Sequence, residues 1–216
     1  MSINKTYAVF GLGRYGVSVA KELVNNGAEV IAVDLNENIV NNVSNELPFC
    51  KCADTTDAEV LKRLGISNVD VVIVSMGENI ESSVMTVMQC KELKVPMVIA
   101  KCSNEMHCKI LTKVGADKVV FPEKDSGIRM AKNLLSSGFV DIIELSNDVS
   151  MIELDVKHEW IGKTLMDLNF RKKYNLNVIA LKENQKININ IDPNMPLSQN
   201  TKLIVIGDKS KISKIK

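Results

Sequence analysis

The chain is expected to be α/β: a doubly wound parallel sheet followed by a small α+β C-terminal module. Three observations carry that expectation. Strand and helix patterns alternate with short connections through residue 125, a glycine loop joins the first strand to the first helix, and after residue 138 the hydrophobic spacing changes to apolar-polar alternation.

The first strand is Tyr7-Ala8-Val9-Phe10, and the helix after it runs through Val17, Ala20, Leu23 and Val24. Between them Gly11, Gly13 and Gly16 form G-x-G-x-x-G in the strand-loop-helix context that makes the spacing informative. Gly11 permits the sharp turn, Gly13 lets backbone N–H groups approach a phosphate, and Gly16 lets the helix lie close on the sheet. The positive end of the helix dipole then faces the phosphates. The next strand, Glu29 to Val33, ends at Asp34, where such a Rossmann-like fold places the carboxylate that binds a ribose diol. An acid there favours an unphosphorylated ribose, hence adenosine or NAD over NADP. Arg14, on the loop itself, supplies donors for a charged terminal phosphate and tilts the expected ligand from NAD toward ADP or ATP.

A helix through Ile39, Val40 and Val43 and the short strand Phe49 to Cys52 follow. Thr56 or Asp57 can cap the next helix, which ends at Gly65. Val69 to Ser75 is nearly continuous β-branched sequence, as a central parallel strand requires. A helix through Val84, Val87, Met88 and Leu93, the strand Pro96 to Lys101, a helix from Glu105 to Val114, and the strand Lys118 to Phe121 complete a sheet expected in the order 3-2-1-4-5-6. Ligands of such sheets lie at the carboxyl ends of the strands, which marks Asp34, Asp54, Ser75 to Gly77, Lys101 and Glu123 as one rim. Lys101 is expected as a second phosphate cation, His107 as a rim neighbour, and Glu123 as a carboxylate able to hold a divalent or monovalent cation.

The domain boundaries read as 1–125 for the nucleotide-binding unit, 126–138 for a connecting helix with a broad apolar face, and 139–216 for the C-terminal module. In the module, Val140 to Leu145, Ser150 to Val156, Asn177 to Leu181, Lys186 to Ile191 and Lys202 to Ile206 read as strands, and Trp160 to Leu168 as a turn and short helix. So small a module needs a partner to cover its apolar face.

Composition excludes other classes. The net charge of +1 and the lack of a basic helix argue against nucleic acid. Five cysteines without a secretion signal are expected as free thiols in an intracellular protein, not as a disulfide framework or zinc site. With His107 and His158 the only histidines and no substrate domain after the nucleotide fold, no catalysis is expected.

The ordered set Gly11-Leu12-Gly13-Arg14-Tyr15-Gly16, Val33-Asp34, Ala53-Asp54-Thr55-Thr56, Met76-Gly77-Glu78-Asn79, Val114-Gly115-Ala116-Asp117 and Pro122-Glu123-Lys124-Asp125 resembles the RCK domain of bacterial Ktr and Trk potassium-uptake regulators. Met166 to Arg171 and Asn175 to Ala180 resemble the accompanying C-terminal RCK module. The resemblance implies a cytoplasmic, peripheral subunit that forms dimers and an octameric ring beneath a membrane-embedded potassium transporter. ATP and ADP would exchange in the Rossmann site and stabilise different ring shapes. Arg14 would meet the terminal phosphates, Asp34 the ribose, and Asp54 with Thr55 the adenine side. Gly77, Lys101, Ser103 and His107 would complete the pocket, and Glu123 would bind a cation. Leu165, Met166, Asn169, Arg171, Asn177 and Pro193 correspond to a cyclic di-AMP site of relatives. Three positions depart from the family pattern: Ala53 and Thr55 stand where Gly and Ala are common, and Tyr15 stands where Phe is frequent. An NAD(H)-binding redox sensor or oxidoreductase using the same pocket is the alternative.

Overall fold

The computed structural model describes residues 5–77, 79–135, 143–146, 148–184, 186–212 and 215. Glu78 of the Met76 to Asn79 motif, the boundary at Gly138, the start of the strand expected from Val140, and Lys214 and Lys216 of the tail lie outside the described residues. Contacts divide the chain into two compact units, 1–124 and 125–216.

In the first unit β1 (Thr6–Phe10), α1 (Arg14–Asn25), β2 (Glu29–Asp34), α2 (Glu37–Val43), β3 (Cys50–Cys52) and α3 (Ala58–Arg63) are followed by β4 (Val71–Val74), α4 (Ile80–Glu92), β5 (Met97–Lys101), α5 (Glu105–Lys113) and β6 (Lys118–Val120). All six strands are parallel and ordered β3-β2-β1-β4-β5-β6, as the alternating pattern requires. β4 is buried along its whole length, which its β-branched run anticipates. Two apolar layers cover the sheet, one around Phe10, Leu61, Val87 and Leu111 and the other around Val9, Leu12, Ala20 and Leu47. Each large aliphatic side chain buried there contributes roughly 1.5–3 kcal/mol. Side-chain oxygens cap the helices: Asn36 accepts from Asn38 N–H, Asp57 from Glu59 N–H, Asn79 from Ser82 N–H and Asn104 from His107 N–H. Of the two caps open for α3, the chain uses Asp57.

The connecting helix α6 runs Pro122–Leu135, so it starts four residues before the expected 126. Proline at a first helical position carries no N–H to leave unpaired, which places the start there.

The second unit holds β7 (Ile143–Glu144), β8 (Val149–Asp155), α7 (Phe170–Tyr174), β9 (Asn177–Glu183), β10 (Lys186–Asn188), β11 (Lys202–Asp208) and α8 (Lys209–Ile212). The strands form an antiparallel sheet in the order β10-β9-β11-β8-β7. Burial alternates along β8, and its inward Leu154 and Ile152 sit opposite Leu203 and Val205 of β11. The core packs Trp160 edge-on against Phe170 with ring centroids 5.3 Å apart. Two elements differ from expectation. β10 stops at Asn188, whose side chain accepts from Asn190 N–H at 2.9 Å and turns the chain before Ile191. The short helix lies after Leu168, because Asn169, at φ 44°, breaks the turn preceding it.

Glu153 sits on β8 between Lys182, 2.7 Å away, and Lys202, 2.8 Å away. Burial pushes its carboxyl pKa up, but the bonds from both lysines outweigh burial and hold it below the usual range. A carboxylate with a lowered folded pKa contributes stability above its unfolded pKa of about 4.3, and that contribution is lost as pH falls through the folded value. Glu153→Gln is therefore expected to cost about 1–2 kcal/mol near neutral pH, or roughly 4–16 °C of melting temperature for a module of this size. The gap should close on acidification. Trp160, the single tryptophan, reads the melt of this module by fluorescence.

Candidate functional site

The glycine loop is held by contacts that only glycine allows. Gly11 adopts φ 85°, and a Cβ on Gly16 would lie 1.9 Å from the Gly11 carbonyl oxygen. Ser75, at the end of β4, donates its hydroxyl to the same carbonyl at 2.5 Å and so ties the loop to the central strand. Gly13, the residue before α1, differs: a Cβ there meets nothing within 4 Å. That open space lies at the helix N-terminus, where a phosphate needs close access to the backbone.

Asp34 ends β2 and accepts from Leu12 N–H at 2.6 Å and Asn36 N–H at 2.8 Å. It thus braces the glycine loop with one oxygen and starts the turn into α2 with the other. Beside it lies a cavity of about 170 Å³ lined by Gly11, Asp34, Asp54, Thr55, Met76 and Ser82, among others. Asp54 accepts from both the amide and the hydroxyl of Thr56, which fixes the turn. Thr55 is buried and shares a 3.1 Å bond with Thr86 of α4. Asp34→Ala should lower the melting temperature of the ligand-free protein by removing about 1–3 kcal/mol of bonding to two backbone donors. Differential scanning calorimetry measures it.

A second group of side chains gathers at the end of β5. The Lys101 ammonium, at the end of β5, pairs with Glu123 at 2.7 Å and sits 5.9 Å from the Tyr15 ring centroid. The lysine side chain runs beside Gly77, its Cε 3.5 Å from where a Cβ there would be, an ordinary van der Waals contact. The Lys101 bond lowers the Glu123 pKa most, and the Arg14 charge adds to it. Arg14, Lys101, Gly77 and Glu123 are therefore gathered at one place. Around Glu123 one chain offers a metal a single carboxylate already bound to lysine, and among the described residues no three His, Cys, Asp or Glu side chains cluster. That donor set does not by itself fit a metal ion.

His107 is corrected. It is fully buried behind the β5–α5 loop rather than on the rim, and burial lowers its pKa. Its Nδ1 accepts from Ser103 N–H at 3.3 Å, so its other nitrogen, 2.7 Å from Ser83 Oγ, carries the proton. Ser103 is exposed and His107 positions it. The thiol expectation is also corrected: Cys102 and Cys108 form a disulfide across this loop, with Cα atoms 5.1 Å apart, whereas Cys50, Cys52 and Cys90 are free. Burial pushes the Cys90 thiol up to about 12. Sequence reasoning missed Ser82, which lines the cavity from the first turn of α4.

In the second unit a cavity of about 380 Å³ lies beside α7. Leu165, Met166, Asn169, Arg171, Asn177 and Pro193 all line it, with Phe170 and Val178. The Met166 amide donates to the Pro193 carbonyl at 3.2 Å and closes one wall. Residues drawn from three separate stretches of sequence thus share one pocket.

Comparison with known proteins meets this geometry at both units: residues 7–122 match the TrkA-N domain and residues 149–216 the TrkA-C domain. The chain belongs to the TrkA family. It is 40% identical to Ktr system potassium uptake protein C of Bacillus subtilis over 98% of this chain and 96% of that one. It is 37% identical to Ktr system potassium uptake protein A of the same organism over 98% and 95%. The solved GsuK Channel shares the fold at TM-score 0.69 and 17% identity, covering 99% of this chain and 39% of that one. Among the described residues of this chain no helix is long and apolar enough to cross a membrane.

Proposed function

We propose that this TrkA-family chain is a cytoplasmic gating subunit in which exchange of ATP and ADP controls a membrane-embedded potassium transporter, without catalysing a reaction. The observation that carries the reading is a cavity at Asp34, Asp54 and Thr55 on the glycine loop, together with two cations, Arg14 and Lys101, gathered at Glu123. A nicotinamide ligand needs no such pair of cations beyond its pyrophosphate.

The switch follows from the ion pair. Without nucleotide, Glu123 holds Lys101. The third phosphate of ATP competes with Glu123 for that ammonium, whereas ADP ends short of it. The two ligands thereby differ in interaction energy at one place, which is the requirement for shifting a two-state assembly. Copies of the chain pair and build a ring, the two-state element. Ile128, Met130 and Leu134 on α6 are exposed apolar side chains that a second copy would cover. A cation near Glu123 would have to take its remaining oxygens from the phosphates or a second copy. Cyclic di-AMP occupies the cavity beside α7, where Arg171 meets its phosphate and Asn169 and Asn177 its polar edges.

The test is potassium flux into vesicles holding the transporter and this subunit. ATP should raise flux, ADP should lower it, and cyclic di-AMP should lower it further. Flux indifferent to all three, or changed by NADH alone, overturns the proposal in favour of the NAD(H) redox sensor.

A further inference from the structure

A third cavity, of about 430 Å³, is lined by Lys172, Lys173, Tyr174, Asn175, Lys211 and Ile215. We propose that it binds a multiply charged phosphate anion, at a site separate from both pockets above. The proposal does not rest on the nucleotide reading.

Three lysines line one cavity in a chain whose net charge is only +1. None of the lining residues is acidic, and among the described residues none of the three lysines is in an ion pair within 4 Å. Asp208 feels the charge of Lys211, and its Oδ1 accepts from the Ser210 amide and hydroxyl. One such carboxylate does not offset three lysines, and like charges gathered in this way repel, which a bound anion relieves.

Their backbones are anchored. Lys172 and Lys173 lie between Phe170 and Leu176, and Lys211 precedes Ile212 and Ile215, all four of these apolar residues being buried in the module's core. The Lys173 ammonium rests 5.2 Å from the Tyr174 ring centroid, which leaves it pre-positioned. Asn175, at φ 56°, ends α7 and adds a side-chain amide. Arg171, the preceding residue of the same helix, lines the 380 Å³ cavity instead, so neighbouring cations on α7 serve different pockets. Three lysine point charges over this volume suit a di- or triphosphate chain or the phosphoryl headgroup of an anionic lipid better than one carboxylate.

Trp160 reports on the site. Its indole N–H donates to the Tyr174 hydroxyl at 3.2 Å, Tyr174 lines the cavity, and the chain has no other tryptophan. The full-length protein is titrated with inorganic pyrophosphate while Trp160 emission is followed, and flotation is measured with vesicles of phosphatidylglycerol or of phosphatidylcholine alone. A saturable emission change assigns a soluble phosphate, and flotation with phosphatidylglycerol only assigns a headgroup. Either response must weaken about tenfold or more in Lys172→Gln/Lys211→Gln, and persist in Arg171→Gln and Arg14→Ala. The charge reversal Lys173→Glu provides a second variant, and circular dichroism checks that each is folded. No response to either probe overturns the proposal, as does a response that survives loss of the lysines or that vanishes with Arg171.

Discussion

Gly13→Ala is expected to abolish nucleotide binding while leaving the fold intact, and Gly16→Ala to damage both. The two substitutions add the same methyl group to the same loop, and the structure separates them by what that methyl meets. At Gly13 there is nothing within 4 Å and φ is −68°, which alanine adopts freely. The only thing displaced is a phosphate approaching the backbone N–H groups of α1. At Gly16 the methyl would sit 1.9 Å from the Gly11 carbonyl and 2.5 Å from Ser75 Oγ, so α1 must move off the sheet. Overpacking of this kind costs about 1–3 kcal/mol or more. Thermal melts of the ligand-free variants beside nucleotide titrations measure both effects. A Gly13→Ala protein that binds ATP like the unaltered chain contradicts the placement of the phosphates at this helix.

Arg14→Ala is expected to weaken ATP by about tenfold to a hundredfold and ADP by clearly less. A hydrogen bond to a charged group is worth roughly 1.5–3 kcal/mol, and Arg14, the first residue of α1, is near enough to Glu123 to lower its pKa; in the proposed function it meets the last phosphate. The same substitution removes a positive charge that helps keep Glu123 ionised. Calorimetric titration gives both affinities. Equal weakening of the two nucleotides would mean that Arg14 holds the phosphates they share and does not tell them apart.

The first unit was legible in the sequence because its signals are local. Each β-α repeat carries its own strand run, cap and glycine stop, and parallel crossovers of one hand leave few sheet orders to choose among. Asp34 was readable for the same reason, since it closes a strand at the expected distance from the loop. What could not be read depends on long-range packing. His107 follows a rim strand closely enough to look exposed, yet its place in the first turn of α5 turns it inward onto Ser83, which belongs to a different helix. The Lys101 to Glu123 pair and the Cys102 to Cys108 bridge join a strand end to a helix start, and sequence spacing does not report such distances. In the second unit the strand alternation was readable. The short helix was displaced from its expected place because Asn169 takes a left-handed conformation, which asparagine tolerates but does not announce.

The central claim is that the Rossmann site selects adenosine di- and triphosphates over NADH. Calorimetric titration of the purified, nucleotide-free chain with ATP, ADP, NADH and cyclic di-AMP, each with and without a divalent cation, addresses it most directly. The account predicts that ATP and ADP compete for one site and bind more tightly than NADH, with cyclic di-AMP binding independently of both. Tight NADH binding with no heat from ATP would contradict it.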